Sequence, residues 1–532
     1  MTTIAELVAA AEPSRPRPIA GLLGRLRAQG RLATAGGPDP ALAVSALTSD
    51  SRTVRPGALF VALRGAHADG HRFLAEVEAT GAAAALVERR VDGVALPQIV
   101  VDDTRRALGA AAAWWYEDPS ASLGIVGVTG TDGKTTTAFL ALAALEAAGI
   151  PGGLVSTAAT EIGSVREANL VHATTPEAPR LQALLRAMVA AGDRAAVVEA
   201  TSHGLALERL SGIRFDVALL TNLSHEHLDF HRTIEAYRDA KLSLFERLAG
   251  DAADRPKSGL AWPRLGIVNA DDPAAPSFEA ATRTAGARLI AYGRYERADV
   301  RLLEATDEGR RLRVRYRAPS GEGTVVLRLS GRFNAHNALA VIALGEGLGL
   351  DPAAVRDGIE SVDSVPGRMD WLDAGQPFSV VVDFAHTPAA LAAALDALRP
   401  VAQVSGGGLI AVFGSAGERD VEKRALMGRV AGERCRLVVV TDEDPRGEDP
   451  ESILDAIARG AEAAGKRRGT DLLLIADRAS AIRAAVAGAR PGDVVLLAGK
   501  GHETSIAYAD HDLPWDERAQ ALAALADRGF GG

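Results

Sequence analysis

A chain of 532 residues, 47% hydrophobic and 24% charged, has the make-up of a soluble globular protein with room for about three domains of ~150 residues each. Its net charge of −9 without a basic block argues against a nucleic-acid partner, though not against a local pocket for phosphates. The single cysteine, Cys435, excludes an internal disulfide framework, and neither a run of ~18 apolar residues nor a basic-then-apolar leader is visible, so no membrane partner and a cytoplasmic location are expected.

Residues 1–120 hold a small α/β pattern. ALFVALRG (58–65), AAALVE (83–88) and PQIVVDD (97–103) read as strands, and RFLAEVEATG (72–81) as a helix. A second unit, 121–364, begins with IVGVTGTDGKTTT (125–137), the most informative stretch of the chain. An apolar run (Leu123, Ile125, Val126, Val128) goes into a loop with three glycines, then Lys134 and three threonines, then an Ala/Leu-rich helical pattern. Such a loop turns backbone N–H groups toward an anion at a helix N-terminus. Lys134 would reach the outer phosphates of a nucleotide and the Thr135 hydroxyl would hold Mg²⁺. The bland alternative is a Gly-rich turn before an ordinary helix.

Strands at 195–201, 216–223 and 265–272 continue the alternation and predict a mainly parallel sheet. In EATSHGLALERL (199–210), Glu199 ends a buried strand, where a carboxylate is costly unless paired or on a metal. TNLSHEHLDFHRTIEAYRDAKLSLF (221–245) packs His225, Glu226, His227, Asp229 and His231 together, a pattern closer to an oxygen-rich Mg²⁺ site with one histidine than to zinc. Lys241, beside Leu242, Leu244 and Phe245, reads on helix logic as a solvated or snorkelling side chain. HATTPE (172–177) is a weak signal by itself, and 249–263 reads as a linker-like surface insertion. Short antiparallel strands are expected across 297–330, and a helix within 331–350 whose Asn334 and Asn337 either cap it or touch a ligand.

The third unit, 365–532, shows strand patterns at 379–385, 408–414, 436–442, 471–477 and 493–501 with helical patterns between most of them, a doubly wound Rossmann-like arrangement. Polar groups follow these strands: DFAHTP (383–388), FGSAGERDVEKR (413–424), TDEDPRGEDP (441–450) and AGKGHE (498–503). They predict a rim carrying His386, Arg419, Lys423, Arg446, Lys500, His502 and Glu503. On this rim Arg446 would take a carboxylate bidentately and Glu503 an ammonium. Cys435, ahead of RLVVV, reads as packing.

GTDGKTTT, HATTPE, EATSHGLAL, TNLSHEHLDFH, VPGRMDW, DFAHTP and AGKGHE, in this order, resemble the Mur ligases of bacterial cell-wall synthesis over essentially the whole chain. The resemblance implies a three-domain α/β architecture: a small N-terminal domain for UDP-MurNAc, a central P-loop ATPase domain with a parallel sheet, and a C-terminal Rossmann-like domain for the amino acid. It implies an ATP-dependent ligase adding a diamino acid to UDP-MurNAc-L-Ala-D-Glu in peptidoglycan precursor synthesis, acting as a monomer. It also implies a set of roles. Ser51 and its surroundings would hold the uridine nucleotide, and Thr174, Thr175, Ser202 and Arg209 the muramoyl dipeptide. Gly130, Thr131, Asp132, Gly133, Lys134, Thr135, Thr136, Asn334, Arg368 and His386 would serve ATP. Thr135, Glu199, His227 and Lys241 would serve two Mg²⁺ ions, Lys241 as a carbamate, which reverses the spectator reading of that lysine. Asp444, Arg446, Gly499 and Glu503 would receive the amino acid.

One departure bears on specificity. Family members that add meso-diaminopimelate carry D-N-P-R where this chain has Glu443-Asp444-Pro445-Arg446. Arg446 remains to clasp a distal carboxylate, so diaminopimelate is favoured, while the charge on Asp444 leaves lysine or ornithine open. Asp132, where relatives often have Asn or Ser, is a milder departure. Two other readings are a folylpolyglutamate synthase, which lacks a UDP domain like 40–120, and a non-catalytic P-loop binding subunit.

Overall fold

The structure, a computed structural model, describes every residue except 1, 34–37, 66–67, 170–173, 225, 250–256, 258–260 and 532, and leaves out the side chains of 228 and 229. His172 and His225, and most of the 249–263 segment, therefore lie outside the described residues. Lys257 of that segment is described: it is buried, its Nζ 2.7 Å from Asp216 Oδ2.

The N-terminal unit is a four-stranded, all-parallel sheet in the order Ala46–Thr48, Ala58–Val61, Ala84–Val87, Gln98–Val100. The helix Thr104–Trp115 begins under a cap from Asp103, whose carboxylate accepts from the N–H groups of Arg105 and Arg106, and buries ten of its twelve residues.

Eleven strands form the central sheet among the described residues. Gly124–Thr129 lies at its middle, buried along its whole length as both-face-covered parallel strands are. Chain order explains the site. From Gly124–Thr129 the chain crosses to Gly152–Val155, returns to Ala195–Glu199 between those two, and then moves to Val217–Leu220 on the opposite side. That reversal of direction sets the carboxyl ends of 124–129, 195–199 and 217–220 side by side, where open α/β sheets bind ligands.

The antiparallel segment expected at 297–330 is present as Val300–Glu308, Arg311–Ala318 and Gly321–Leu327. It does not leave the central sheet but extends it, since Val300–Glu308 pairs in parallel with Arg288–Gly293. At the other edge, Ala159–Ile162 and Val165–Ala168 add an antiparallel pair that the sequence patterns did not reveal.

In the C-terminal unit the order is Asp370–Leu372, Ser379–Asp383, Val494–Ala498, Leu409–Phe413, Leu437–Val440, Leu472–Leu474. Only the first strand is antiparallel. Cys435 caps the helix Glu422–Arg434 and is buried, its thiol pushed up to about 12 by burial, consistent with packing. No helix among the described residues is long and apolar enough to cross a membrane.

Candidate active site

The phosphate loop is shaped by two glycines. Gly130 has φ +146°, and a Cβ there would stand 1.9 Å from Thr221 Oγ1. Gly133 has φ +81° and caps the helix Lys134–Ala147; its Cβ would stand 2.5 Å from Asn337 Oδ1. The loop is also tied from outside: Thr131 N–H donates to the Asn222 carbonyl at 2.8 Å, and Asp132 N–H to Asn222 Oδ1 at 2.9 Å. Lys134 Nζ arches back over the loop to the carbonyls of Gly130 and Thr131, at 3.1 and 2.7 Å. Thr135 and Thr136 are buried in the first turn.

Glu199 is fully buried at its strand end, and its charge is met locally. Thr157 N–H donates to Oε1 at 3.0 Å, while Thr157 Oγ1 lies 3.0 Å from both Glu199 Oε2 and Thr174 Oγ1. Thr175 Oγ1 donates to the Glu199 carbonyl at 2.8 Å. One chain of hydroxyls thus links the metal candidate Glu199 to the proposed dipeptide threonines. Arg209 belongs to the same wall: its Nη1 donates to the Thr175 carbonyl at 3.1 Å and its Nε stands 2.8 Å from Glu177. Ser202 is buried with no partner for its hydroxyl among the described residues.

The loop after Val217–Leu220 brings Glu226 and His227 to the phosphate loop. His227 has φ +57°, an unfavourable conformation for a non-glycine residue that costs of the order of 1–3 kcal/mol. Burial draws its imidazole down to about 4 against the pull of Glu226, so it is neutral, the form that binds metals. Glu226 is held well below the carboxylate range: burial works against the charge, but His386 and His227 outweigh it. Its Oε1 lies 3.4 Å from His386 Nε2, across the boundary to the C-terminal unit.

Lys241 is not the solvated side chain that helix periodicity predicts. It is 1% exposed, donates to the Gly130 carbonyl at 2.6 Å, and sits 4.4 Å from the centre of the Tyr237 ring. Burial first, and Lys134 second, lower its pKa well below that of a free lysine. Helix spacing misleads here because a second layer, the phosphate loop, covers the face that carries Lys241.

Two further residues of the C-terminal unit reach the loop. Arg368 stacks on Phe384, 4.5 Å from the ring centre, and its Nη2 lies 3.3 Å from Thr135 Oγ1. His386 is positioned by a 2.9 Å contact between its Nδ1 and the Phe384 carbonyl. Asp132 is exposed, within electrostatic reach of His386 and Arg368 of the C-terminal unit; desolvation and the nearby Glu226 raise its carboxyl.

Asn334 and Asn337 are buried and neither caps its helix by side chain. Asn334 Nδ2 donates to the Ser330 carbonyl at 2.7 Å, and Asn337 Nδ2 to Asn334 Oδ1 at 2.9 Å. Thr137 Oγ1 completes the link to Asn337 at 3.2 Å, clamping this helix onto the phosphate-loop helix.

At the C-terminal sheet the rim differs from expectation. Lys500 lies beneath it, fully inaccessible, with Nζ 2.8 Å from Asp444 Oδ1 and 2.6 Å from Glu503 Oε2. The two acids expected to meet an incoming ammonium therefore already flank an internal one. Ala507 N–H also donates to Asp444 Oδ1, at 2.9 Å. Arg446 holds φ +54°, and its guanidinium has no hydrogen-bond partner among the described residues. Gly499, at φ +104°, lets the chain pass Glu443: a Cβ there would stand 3.1 Å from Oε2, an oxygen that is buried and unpartnered.

Ser51 opens the short turn Ser51–Thr53, which Asp50 caps through Arg52 N–H at 3.0 Å. No hydrogen bond joins Ser51 to the phosphate-loop cluster among the described residues. Thr157 and Tyr237, which hydrogen-bond Glu199 and Thr131, carry no signal in the sequence, and Glu226 carries one only as the acid between two histidines. Among the described residues no three His, Cys, Asp or Glu side chains converge as metal ligands.

Three family profiles match successive parts of the chain. They are described as Mur ligase family, catalytic domain (residues 43–116), Mur ligase middle domain (128–345) and Mur ligase, glutamate ligase domain (367–501). A UDP-N-acetylmuramyl-tripeptide synthetase of Roseiflexus sp. (strain RS-1) is 49% identical over 497 residues, 92% of this chain and 96% of that protein. A UDP-N-acetylmuramoyl-L-alanyl-D-glutamate–2,6-diaminopimelate ligase of Chlorobium phaeobacteroides is 40% identical over 512 residues, 94% of this chain and 96% of its own. A solved structure of a ligase with that same description superposes with a TM-score of 0.64 at 30% identity, covering 93% of this chain and 97% of the other.

Proposed function

The chain belongs to the Mur ligase family, and from that premise we propose that it is the tripeptide-forming member: an ATP-dependent ligase that adds a diamino acid to UDP-MurNAc-L-Ala-D-Glu in peptidoglycan precursor synthesis. The observation that supports the reading is that the strands leading to Lys134, Glu199 and His227 are neighbours in the central sheet, with Arg368 of the C-terminal unit reaching Thr135 at 3.3 Å. We assign 1–120 to the UDP-sugar, 121–364 to the nucleotide and 365–532 to the amino acid. One copy is taken as the working unit, acting in the cytoplasm where ATP is available, because all three parts come from one chain.

The γ-phosphoryl group of ATP passes to the side-chain carboxylate of the D-Glu residue, giving ADP and an acyl phosphate. The incoming amine attacks the acyl carbon, and the tetrahedral intermediate collapses to the amide with release of phosphate. Lys134 and the loop N–H groups offset charge on the phosphates. Arg368, stacked on Phe384, carries a fixed positive fork to the same place. Thr174, Thr175, Ser202 and Arg209 orient the dipeptide, and Ser51 lies with the uridine end. Reaction requires the amine within about 3–3.5 Å of the acyl carbon, which explains a site divided among three units.

Mg²⁺ suits this donor set, because that ion takes one or two carboxylates together with substrate phosphates rather than an all-protein cage. Thr135 and Glu199 would hold one ion and His227 with a carbamylated Lys241 a second, where each would screen charge on the transferring group. Lys241 suits carbamylation: burial favours its neutral amine, the form whose nitrogen bonds to carbon dioxide and releases a proton.

Meso-diaminopimelate is the favoured amine, since Arg446 has its guanidinium available for a distal carboxylate while Asp444 is engaged by Lys500. The test is ADP release by the purified protein with ATP, Mg²⁺ and UDP-MurNAc-L-Ala-D-Glu, offered diaminopimelate, lysine or ornithine. Release should need both dipeptide and amine and be fastest with diaminopimelate. Dipeptide-independent hydrolysis would overturn the ligase reading; acceptance of lysine or ornithine alone would overturn the choice of amine.

A further inference from the structure

The C-terminal unit buries an ion pair that the reaction above does not use. Arg478 begins the helix Arg478–Gly488 and Glu517 begins Glu517–Asp527, and both side chains are wholly inaccessible. Arg478 Nε and Nη2 donate to the two carboxylate oxygens at 2.9 and 2.7 Å, and Trp515 Nε1 donates to the same carboxylate at 2.7 Å.

The fork reaches further. Nη1 donates to the carbonyl of Asp442 at 3.0 Å and Nη2 to that of Ala498 at 2.8 Å. Asp442 follows the strand Leu437–Val440, and Ala498 ends Val494–Ala498. These two strands do not pair; Leu409–Phe413 runs between them. One planar guanidinium therefore spans two strand ends across a third. The loop after one strand carries Asp444 and Arg446; the loop after the other carries Lys500 and Glu503. The first loop is pinned again from the short strand Ser505–Ala507, which pairs antiparallel with Asp512–Pro514, since Arg446 N–H donates to the Ala507 carbonyl at 2.9 Å.

A buried ion pair is a poor device for stability alone, because removing both charges from water cancels much of their attraction. An arginine supplies what an aliphatic residue cannot: several donors in one fixed plane. Here that plane is spent on two carbonyls that define the width of a binding edge.

We infer that Arg478, oriented by Glu517, is a positioning residue for amino-acid recognition, holding the Asp444–Arg446 loop at a set separation from the Lys500–Glu503 loop. The inference rests on the reading that this edge receives the diamino acid.

The test compares the full-length enzyme with Arg478→Lys, and with the double variant Arg478→Met, Glu517→Leu, in ADP-release kinetics. Lysine keeps a charge opposite Glu517 but has one nitrogen and cannot hold both carbonyls. The double variant removes both charges, leaves neither unpaired, and replaces the single variant should that fail to fold. KM for the diamino acid should rise about 10²-fold in each, as misplaced binding groups do, with KM for ATP and for the UDP-dipeptide unchanged. An unchanged KM for the amine, or KM values for all three substrates rising together, would overturn the inference and leave a structural pair. Lack of amine-dependent ADP release in the unaltered enzyme would instead overturn the functional reading beneath it.

Discussion

Lys241 Nζ donates a 2.6 Å hydrogen bond to the carbonyl oxygen of Gly130, joining a helix residue to the first turn of the phosphate loop. Both groups are out of reach of water, and Lys134 stands near enough to depress the Lys241 pKa further. Burial and a neighbouring cation both disfavour the charged form of this amine.

Lys241→Ala should lose at least about 10²-fold in ADP release, the loss expected when one charge-stabilising group leaves a transition state. Acetate or formate should restore part of it, by lending a carboxylate where the carbamate stood. Activity equal to the unaltered enzyme without such additives would remove Lys241 from the site.

Lys134→Ala should lower ADP release by about 10²–10³-fold. Its two hydrogen bonds go to loop carbonyls rather than to distant elements, so the thermal midpoint should move little. Near-normal turnover would refute its role on the phosphates.

Gly133→Ala and Gly130→Ala test the loop's shape. Each puts a Cβ on a left-handed residue and within 2.5 and 1.9 Å of Asn337 and Thr221 respectively. Each should cost of the order of 1–3 kcal/mol in stability and raise KM for ATP. Thermal unfolding with and without ATP, together with steady-state kinetics, measures both; variants indistinguishable from the parent would show that the loop tolerates a side chain.

The Glu226–His386 contact should give pH-dependent coupling between two units. Burial opposes charge on His386, yet the Glu226 carboxylate outweighs it and raises the imidazole pKa. Its contribution is complete below about 6.5 and is lost as pH rises through the raised value. Glu226, lowered in the folded state, contributes fully above about 4.3 and is lost as pH falls through its own depressed value. Between those limits the pair is intact. In Glu226→Gln the burial of His386 remains without its partner, so its pKa, followed by NMR, should drop below the ordinary imidazole value. An unshifted titration would dissolve the proposed pair.

How much could be read in advance differs from one element to the next. The loop at 130–133 was legible because its features are local: glycines at fixed offsets, a lysine and threonines opening a helix. Glu199 was legible because a carboxylate closing an apolar strand demands a partner. Asp444 was legible only as a change of charge; that Lys500 neutralises it depends on a contact 56 positions away along the chain. Lys241 was misread by periodicity, which records the helix's own faces and not what lies over them.

The order of residues by itself determined three α/β units, the phosphate loop and the resemblance that identifies the chemistry, since each depends on nearest neighbours and short repeats. Tertiary structure alone decided that 300–327 extends the central sheet, that Glu226 meets His386, and that Arg478 spans two strand ends. The physical reason is desolvation: whether a charge is exposed, paired or neutral depends on which distant segments exclude water from it, and spacing within one segment does not contain that information.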